Sequence, residues 1–457
     1  MKLVSVNPYT EQTIQEFEPL NLEESAETIH RSRIAFRSWR KTSGKERSNY
    51  LQALSIRLRE RQRIFAEIIT WEVGKPITQS LAEIEKCARL CDYFAKNSER
   101  FLKEEVVQTE APRSYVILEP LGVILGIMPW NFPFWQVFRF AIPALTAGNT
   151  CVLKHASNVP MTALAIENLF RESGVPDYVF KILLIDAETA MQLIEGELVD
   201  GVSLTGSVEA GSQVASLAGR HIKKFVLELG GSDPFIVLGD ADVPRAAQMA
   251  LQARLINSGQ SCIAAKRFIV LGSIGELFTE ALERELSTVK IGDPMDPETT
   301  IGPMAKREVV ETLSGQLEDA RQKGARVVLG PAPPTGKGFF FRPAILYDVG
   351  QHMRVLTEEV FGPIMPVLTA ETEEQIVEMA NASSYGLGAA IWTKDLTKAK
   401  RLSRELEAGS VAINDIVKSD PRLPFGGIKK SGVGRELSHY GLKEFVNIKS
   451  VVIQSHP

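Results

Sequence analysis

Val123-Ile124-Leu125-Gly126-Ile127, Cys151-Val152-Leu153 and Val202-Ser203-Leu204 are short apolar runs, separated by segments long enough to form helices. The alternation continues through Phe225-Val226-Leu227, Phe235-Ile236-Val237-Leu238 and Phe268-Ile269-Val270-Leu271. Strands separated by helix-length segments predict βαβ units and a mainly parallel sheet, hence an α/β fold. Such sheets bind ligands at the carboxyl ends of their strands. Upstream, residues 22–100 read as helices, with Leu51, Leu54, Leu58, Phe65 and Ile68 gathered on one face by their spacing. Downstream, Phe445 to Ile453 reads as a terminal strand that needs an edge to pair with, on this chain or another subunit.

A chain of 457 residues exceeds one ordinary core, so two or three domains are expected. Its 44% hydrophobic and 24% charged residues are those of a globular protein. A net charge of −4 gives no footprint for nucleic acid or an anionic membrane, so a small-molecule partner is expected. Four cysteines and six histidines without ligand spacing argue against a metal site and a disulfide framework. The N-terminus lacks the pattern of a signal or transit peptide, and the apolar segment Leu121 to Phe138 is broken by Pro129, Asn131 and Pro133. A reducing, cytoplasmic setting fits these features.

Chemistry concentrates where strands end. Cys262 follows Asn257-Ser258-Gly259-Gln260-Ser261, a polar, glycine-containing flank that suits an approachable nucleophile, although a lone cysteine also serves as core packing. Cys87, Cys91 and Cys151 lie in apolar or helical patterns. Asn131, between Pro129 and Pro133, is either a helix cap or a fixed amide donor to an oxyanion. Lys154, with His155-Ala156-Ser157 after it, suits phosphate or ribose, or simply solvent. Gly206 and Ser207 offer N–H groups at a helix start, which attracts phosphate but equally describes an ordinary cap. Glu228, at an apolar strand end beside Leu229-Gly230-Gly231, is a general-base candidate or a salt-bridged carboxylate.

Together, Pro129-Trp130-Asn131, Lys154, Thr205-Gly206-Ser207, Glu228-Leu229-Gly230-Gly231, Gly259-Gln260-Ser261-Cys262, Glu358-Glu359-Val360-Phe361-Gly362-Pro363 and Pro424-Phe425-Gly426-Gly427 resemble, in order and spacing, the aldehyde dehydrogenase superfamily. Within it the chain is most similar to bacterial succinate-semialdehyde dehydrogenases. The resemblance implies a doubly wound cofactor-binding domain (1–102 and 123–229), a second α/β catalytic domain (230–430), and a small β oligomerisation element with the tail (103–122 and 431–457). It implies Cys262 as nucleophile, Glu228 as general base, and Asn131 with the Cys262 N–H as oxyanion donors. Met128, Pro129, Trp130, Lys154, Ala156, Ser157, Gly206, Ser207 and Leu229 would line the dinucleotide site, with Glu359 and Phe361 on the nicotinamide ribose.

Departures from the family pattern refine this. Many NAD-using relatives carry Glu where this chain has Ser157, and losing that charge makes room for a 2′-phosphate, so NADP is expected over NAD, with NAD possible; His155 either helps when protonated or is structural. Arg139 matches an arginine that pairs with a distal substrate carboxylate, Ser419 a hydroxyl near it, and Trp135 a pocket wall. A second arginine of some relatives is Ile256 here, and Arg422 either compensates for it or is a solvated loop residue. Ala264 replaces a second cysteine, which excludes a local disulfide latch. The expected activity is non-acylating oxidation of succinate semialdehyde by a homodimer or homotetramer. The alternatives are a broad short-chain aldehyde dehydrogenase and a silent binding or structural protein of the same fold.

Overall fold

The computed structural model describes residues 2–454. Four helices open the chain after a small hairpin: Leu22–Trp39, Gly44–Glu60, Gln62–Val73 and Ile77–Phe101. The first two start at Asn21 and Ser43, whose side chains accept from the N–H groups of Glu24 and Glu46 while those glutamates reach back. Each such cap contributes about 1 kcal/mol. The apolar face expected to run from Leu51 to Ile68 is interrupted at Arg61, which leaves helical geometry (φ −112°, ψ 17°). Ile69 is therefore buried in place of Ile68, which is half-buried.

The first sheet has six strands in the order Gly432–Val433, Lys224–Glu228, Gly201–Thr205, Val123–Met128, Thr150–His155, Phe180–Ile182. All neighbours are parallel except the first pair. The chain starts at Val123–Met128, winds outward one way through Phe180–Ile182, then returns and winds the other way. The crevice where the direction reverses lies between the ends of Val123–Met128 and Gly201–Thr205, the point at which doubly wound sheets hold ligands. Gly432–Val433 joins this sheet through Gly432 opposite Glu228. These backbone pairs tie this part of the tail to the first sheet.

The second sheet has seven strands: Arg326–Leu329, Ala344–Tyr347, Ile364–Ala370, Ala265–Leu271, Asp233–Val237, Gly388–Trp392 and Ser410–Ile413, with only Arg326–Leu329 antiparallel. Its central strands are buried throughout, which explains their continuous apolar sequence. Phe235, Phe268 and Trp392 pack together on one face. A third, antiparallel sheet joins Val446–Ile453 to Arg113–Pro120 and Glu105–Val107. Val106, Ile448 and Val452 are exposed on it. Among the described residues no helix is long and apolar enough to cross a membrane.

Candidate active site

The two large sheets meet at the link from Glu228, through Leu229-Gly230-Gly231, to Asp233. Carboxyl ends of the first sheet face one side of this junction. Cys262 enters from the other, just before the strand Ala265–Leu271, so the second sheet contributes through its amino end.

The loop carrying Cys262 is wound against its preference. Asn257 (φ 51°), Ser258 (φ 56°) and Gly259 (φ 85°) are all left-handed. For the two non-glycine residues this costs about 1–2 kcal/mol each, so the loop must be held from outside. The Asn257 N–H donates to Gln79 Oε1 at 2.7 Å, and its side-chain amide donates to the Asn131 carbonyl at 2.8 Å. Ala305 N–H donates to Gln260 Oε1 at 2.9 Å. Gly259 has no room for a side chain, since a Cβ there would stand 2.4 Å from the Gly362 carbonyl carbon.

Asn131 does not cap the following helix, Trp135–Ala147, which has no side-chain cap. Its amide instead donates to the Gln260 carbonyl at 3.2 Å and is buried beside the Cys262 loop. The second amide hydrogen remains to serve a ligand. The helix start is satisfied by Glu83, whose Oε1 accepts from Phe134 and Trp135 N–H at 2.9 Å while Lys75 pairs with its other oxygen.

Glu228 is buried, with the Arg139 guanidinium 3.7 Å away. Arg139 forms a closer ion pair with Glu436, donates to Thr205 Oγ1 at 3.3 Å, and lies over the Phe425 ring. Burial pushes the Glu228 carboxyl up to about 8 despite the opposing Arg139 charge. Burial also pushes the Cys262 thiol up to about 12, with Arg139 and Lys266 pulling it down. The resting site therefore holds a thiol beside a carboxyl poised near neutrality.

Two cavities converge on Cys262. One, of about 370 Å³, is lined by Trp135, Arg139, Phe425, Ser419 and Lys86 among others. The other, of about 200 Å³, is lined by Pro129, Trp130, Gly206, Ser207, Leu229, Glu359 and Phe361. Cys262 and Gln136 border both.

The second cavity suits a dinucleotide. Ser207 caps the helix Val208–Arg220 by accepting from Ala210 N–H at 3.2 Å, so the cap reading and a place in the cleft are both true of it. Glu359 is fixed by Lys266 at 3.2 Å and Gly231 N–H at 3.1 Å. A Cβ on Gly230 would come within 2.5 Å of Glu359 Oε2. Trp130 and Phe361 meet edge to face at 5.8 Å. Met128 ends its strand buried. Met128, Lys154, Ala156 and Ser157 do not line this cavity: Lys154 lies near the carboxyl end of the adjacent strand Thr150–His155 and Ala156 and Ser157 just beyond it, with Ser157 exposed and the Lys154 ammonium held low by burial and by Lys306. His155 is buried between the Met128 and Pro133 carbonyls and lowered to about 4, so it brings no charge to this region.

In the first cavity Trp135 Nε1 donates to Ser419 Oγ at 3.0 Å, which brings two of the expected substrate residues together. Arg139, the third, borders the cavity with its charge already met by Glu436 and Glu228. Arg139 therefore reaches the cavity wall, as expected of a substrate residue, with two acids of the chain beside it. Glu436, Lys86, Lys266, Gln136 and the loop-holding Gln79 went unmarked in the sequence. Ile256 lines the cavity, whereas Arg422 pairs with Asp420 at 2.6 Å.

The model of the aldehyde dehydrogenase family matches residues 1–451. This chain belongs to that family. Among similar aldehyde dehydrogenases is a probable succinate-semialdehyde dehydrogenase [NADP(+)] of Synechocystis, 44% identical over 99% of this chain and all of that one. The succinate semialdehyde dehydrogenase [NAD(P)+] Sad of Escherichia coli K12 is 42% identical, covering 98% of this chain and 97% of its own. The crystal structure of succinic semialdehyde dehydrogenase from Streptococcus pyogenes in complex with NADP+ superposes with a TM-score of 0.96 at 36% identity, over 99% of this chain and 100% of that one.

Proposed function

We propose that this aldehyde dehydrogenase oxidises succinate semialdehyde to succinate with NADP. One observation carries the reading: Cys262 stands where the larger cavity meets the dinucleotide cleft, with Asn131 bonded to its loop and the Glu228 charge acting on its thiol. The named relatives, alike along their whole length, support the choice of substrate and cofactor.

Because the thiol is held high, its proton passes to Glu228 as the sulfur adds to the aldehyde carbon. The resulting oxyanion takes hydrogen bonds from the free Asn131 amide hydrogen and the Cys262 N–H. When bound, NADP supplies the acceptor for the hydride lost from that carbon, which leaves a thioester on Cys262. Glu228, having passed that proton to solvent, takes another from water as the water attacks the thioester, and returns it to the sulfur as the C–S bond breaks and the acid departs. Retention of this base favours hydrolysis over transfer to coenzyme A. Glu359 and Phe361 are assigned to the nicotinamide ribose. Ser157, uncharged and following Lys154, is assigned to the adenosine ribose phosphate, where a carboxylate would repel it.

The same reading assigns a dimer or tetramer, built on the sheet that exposes Val106, Ile448 and Val452. Steady-state assays with succinate semialdehyde, butanal, acetaldehyde and benzaldehyde against NADP and NAD test the proposal. The expected result is highest kcat/KM for succinate semialdehyde with NADP. Equal efficiency on acetaldehyde would favour a broad short-chain enzyme, and no turnover of any aldehyde would leave a binding protein.

A further inference from the structure

Of the three cations that line the larger cavity, two have carboxylate partners. Arg139 is paired with Glu436 and faces Glu228, and Lys418 meets Asp415 at 2.7 Å. Lys86, on the helix Ile77–Phe101, has none within ion-pair distance among the described residues. Its ammonium donates to Ser419 Oγ at 2.7 Å and lies 4.1 Å from the centre of the Trp135 ring. The nearest carboxylates are occupied elsewhere, Glu83 with Lys75 and Asp420 with Arg422. Burial, reinforced by Arg139, lowers the Lys86 ammonium to about 8.

A desolvated ammonium without a counter-ion is costly, and a fold keeps one where an anion arrives from outside. The neighbouring hydroxyl points the same way. Ser419 Oγ accepts from both Lys86 and Trp135 Nε1, so its own hydrogen remains to be donated. An ammonium with N–H groups to spare and a free O–H thus meet in one cavity that also contains Cys262.

We infer that Lys86, together with the Ser419 hydroxyl, holds the distal carboxylate of the aldehyde, and that Arg139 instead serves the Glu228 and Glu436 carboxylates. The inference rests on the reading of the substrate as a carboxylate-bearing aldehyde, and makes Lys86 the specificity-determining residue.

The test compares kcat/KM for succinate semialdehyde and for butanal in wild type, Lys86→Met and Lys86→Arg, alongside calorimetric titration with succinate. Lys86→Met should lower kcat/KM for succinate semialdehyde about 100-fold, chiefly through KM, as expected when a charge-assisted contact is lost. Butanal should change less than about threefold, because it has no carboxylate to lose. Succinate affinity should fall in parallel, and Lys86→Arg should recover part of both. Lys86→Gln is read by the same ratio and carries the test should the Met variant not fold. A variant that keeps wild-type selectivity overturns the assignment to Lys86 alone. A wild type with no preference for succinate semialdehyde over butanal overturns the substrate reading and the assignment with it.

Discussion

The Arg139 guanidinium stands 3.7 Å from the Glu228 carboxylate and forms a tighter ion pair with Glu436, so one buried cation is shared between two buried acids. Arg139 lowers the Glu228 pKa against the stronger upward push of burial. The general base is the ionised form, so activity should rise with pH through about 8 in the wild type. Arg139→Met removes the opposing charge and should move that rise to higher pH, with roughly tenfold less activity near pH 7 for each unit moved. A kcat/KM profile from pH 6 to 10 checks this, and an unmoved limb would separate Arg139 from the base.

Glu228→Gln should slow both capture of the aldehyde and hydrolysis of the thioester. Rapid mixing should show no fast burst of reduced cofactor, with the first turnover lower by roughly 10²–10⁴; a burst of one equivalent per site at the wild-type rate would mean that another group takes the thiol proton. The same variant bears on stability. The folded-state pKa of Glu228 is raised, so the stabilisation from keeping it neutral is complete below the unfolded value of about 4.3 and is lost as pH rises through about 8. The amide has no such loss. Relative to wild type, its Tm should therefore be higher at pH 9 than at pH 6.

Asn131→Ala should lower kcat roughly 10²–10³-fold, the range found when one preorganised oxyanion donor is removed. Cofactor affinity, measured by fluorescence titration, should stay near that of the wild type. Near-normal turnover would mean that the oxyanion is held by other groups.

Ser157→Glu places a carboxylate on the exposed loop after Lys154. The NADP/NAD ratio of kcat/KM should reverse in favour of NAD, because a 2′-phosphate would then face a like charge. An unchanged ratio would locate phosphate recognition elsewhere, with Lys306 the next group to test.

The buried strands were legible because parallel strands covered on both faces are written as continuous apolar runs; Val123–Met128 and Asp233–Val237 fall where those runs stand. Asn131 shows where reading stops: cap and donor use the same residue in the same local sequence, and only its contact with Gln260, 129 positions away, separates them. Glu436 left no local mark, since its meaning lies in an arginine nearly three hundred residues earlier. Lys86 left none either: half-buried on a helix between buried Glu83, Cys87 and Leu90 and exposed Ala82 and Arg89, it reads in sequence like any solvated lysine. The interruption at Arg61 that exchanged Ile68 for Ile69 carries no proline or glycine to announce it.

The left-handed turn at Asn257-Ser258-Gly259 also bears on how the protein is born. Its restraints come from Gln79, Asn131 and Ala305, on both sides of Cys262 in the chain. A ribosome-bound chain that has just released Cys262 lacks the segment around Ala305 and the glycine at position 362 against which Gly259 packs. The nucleophile thus acquires its aim only after about a hundred further residues have emerged, and until then the nascent chain carries an ordinary thiol.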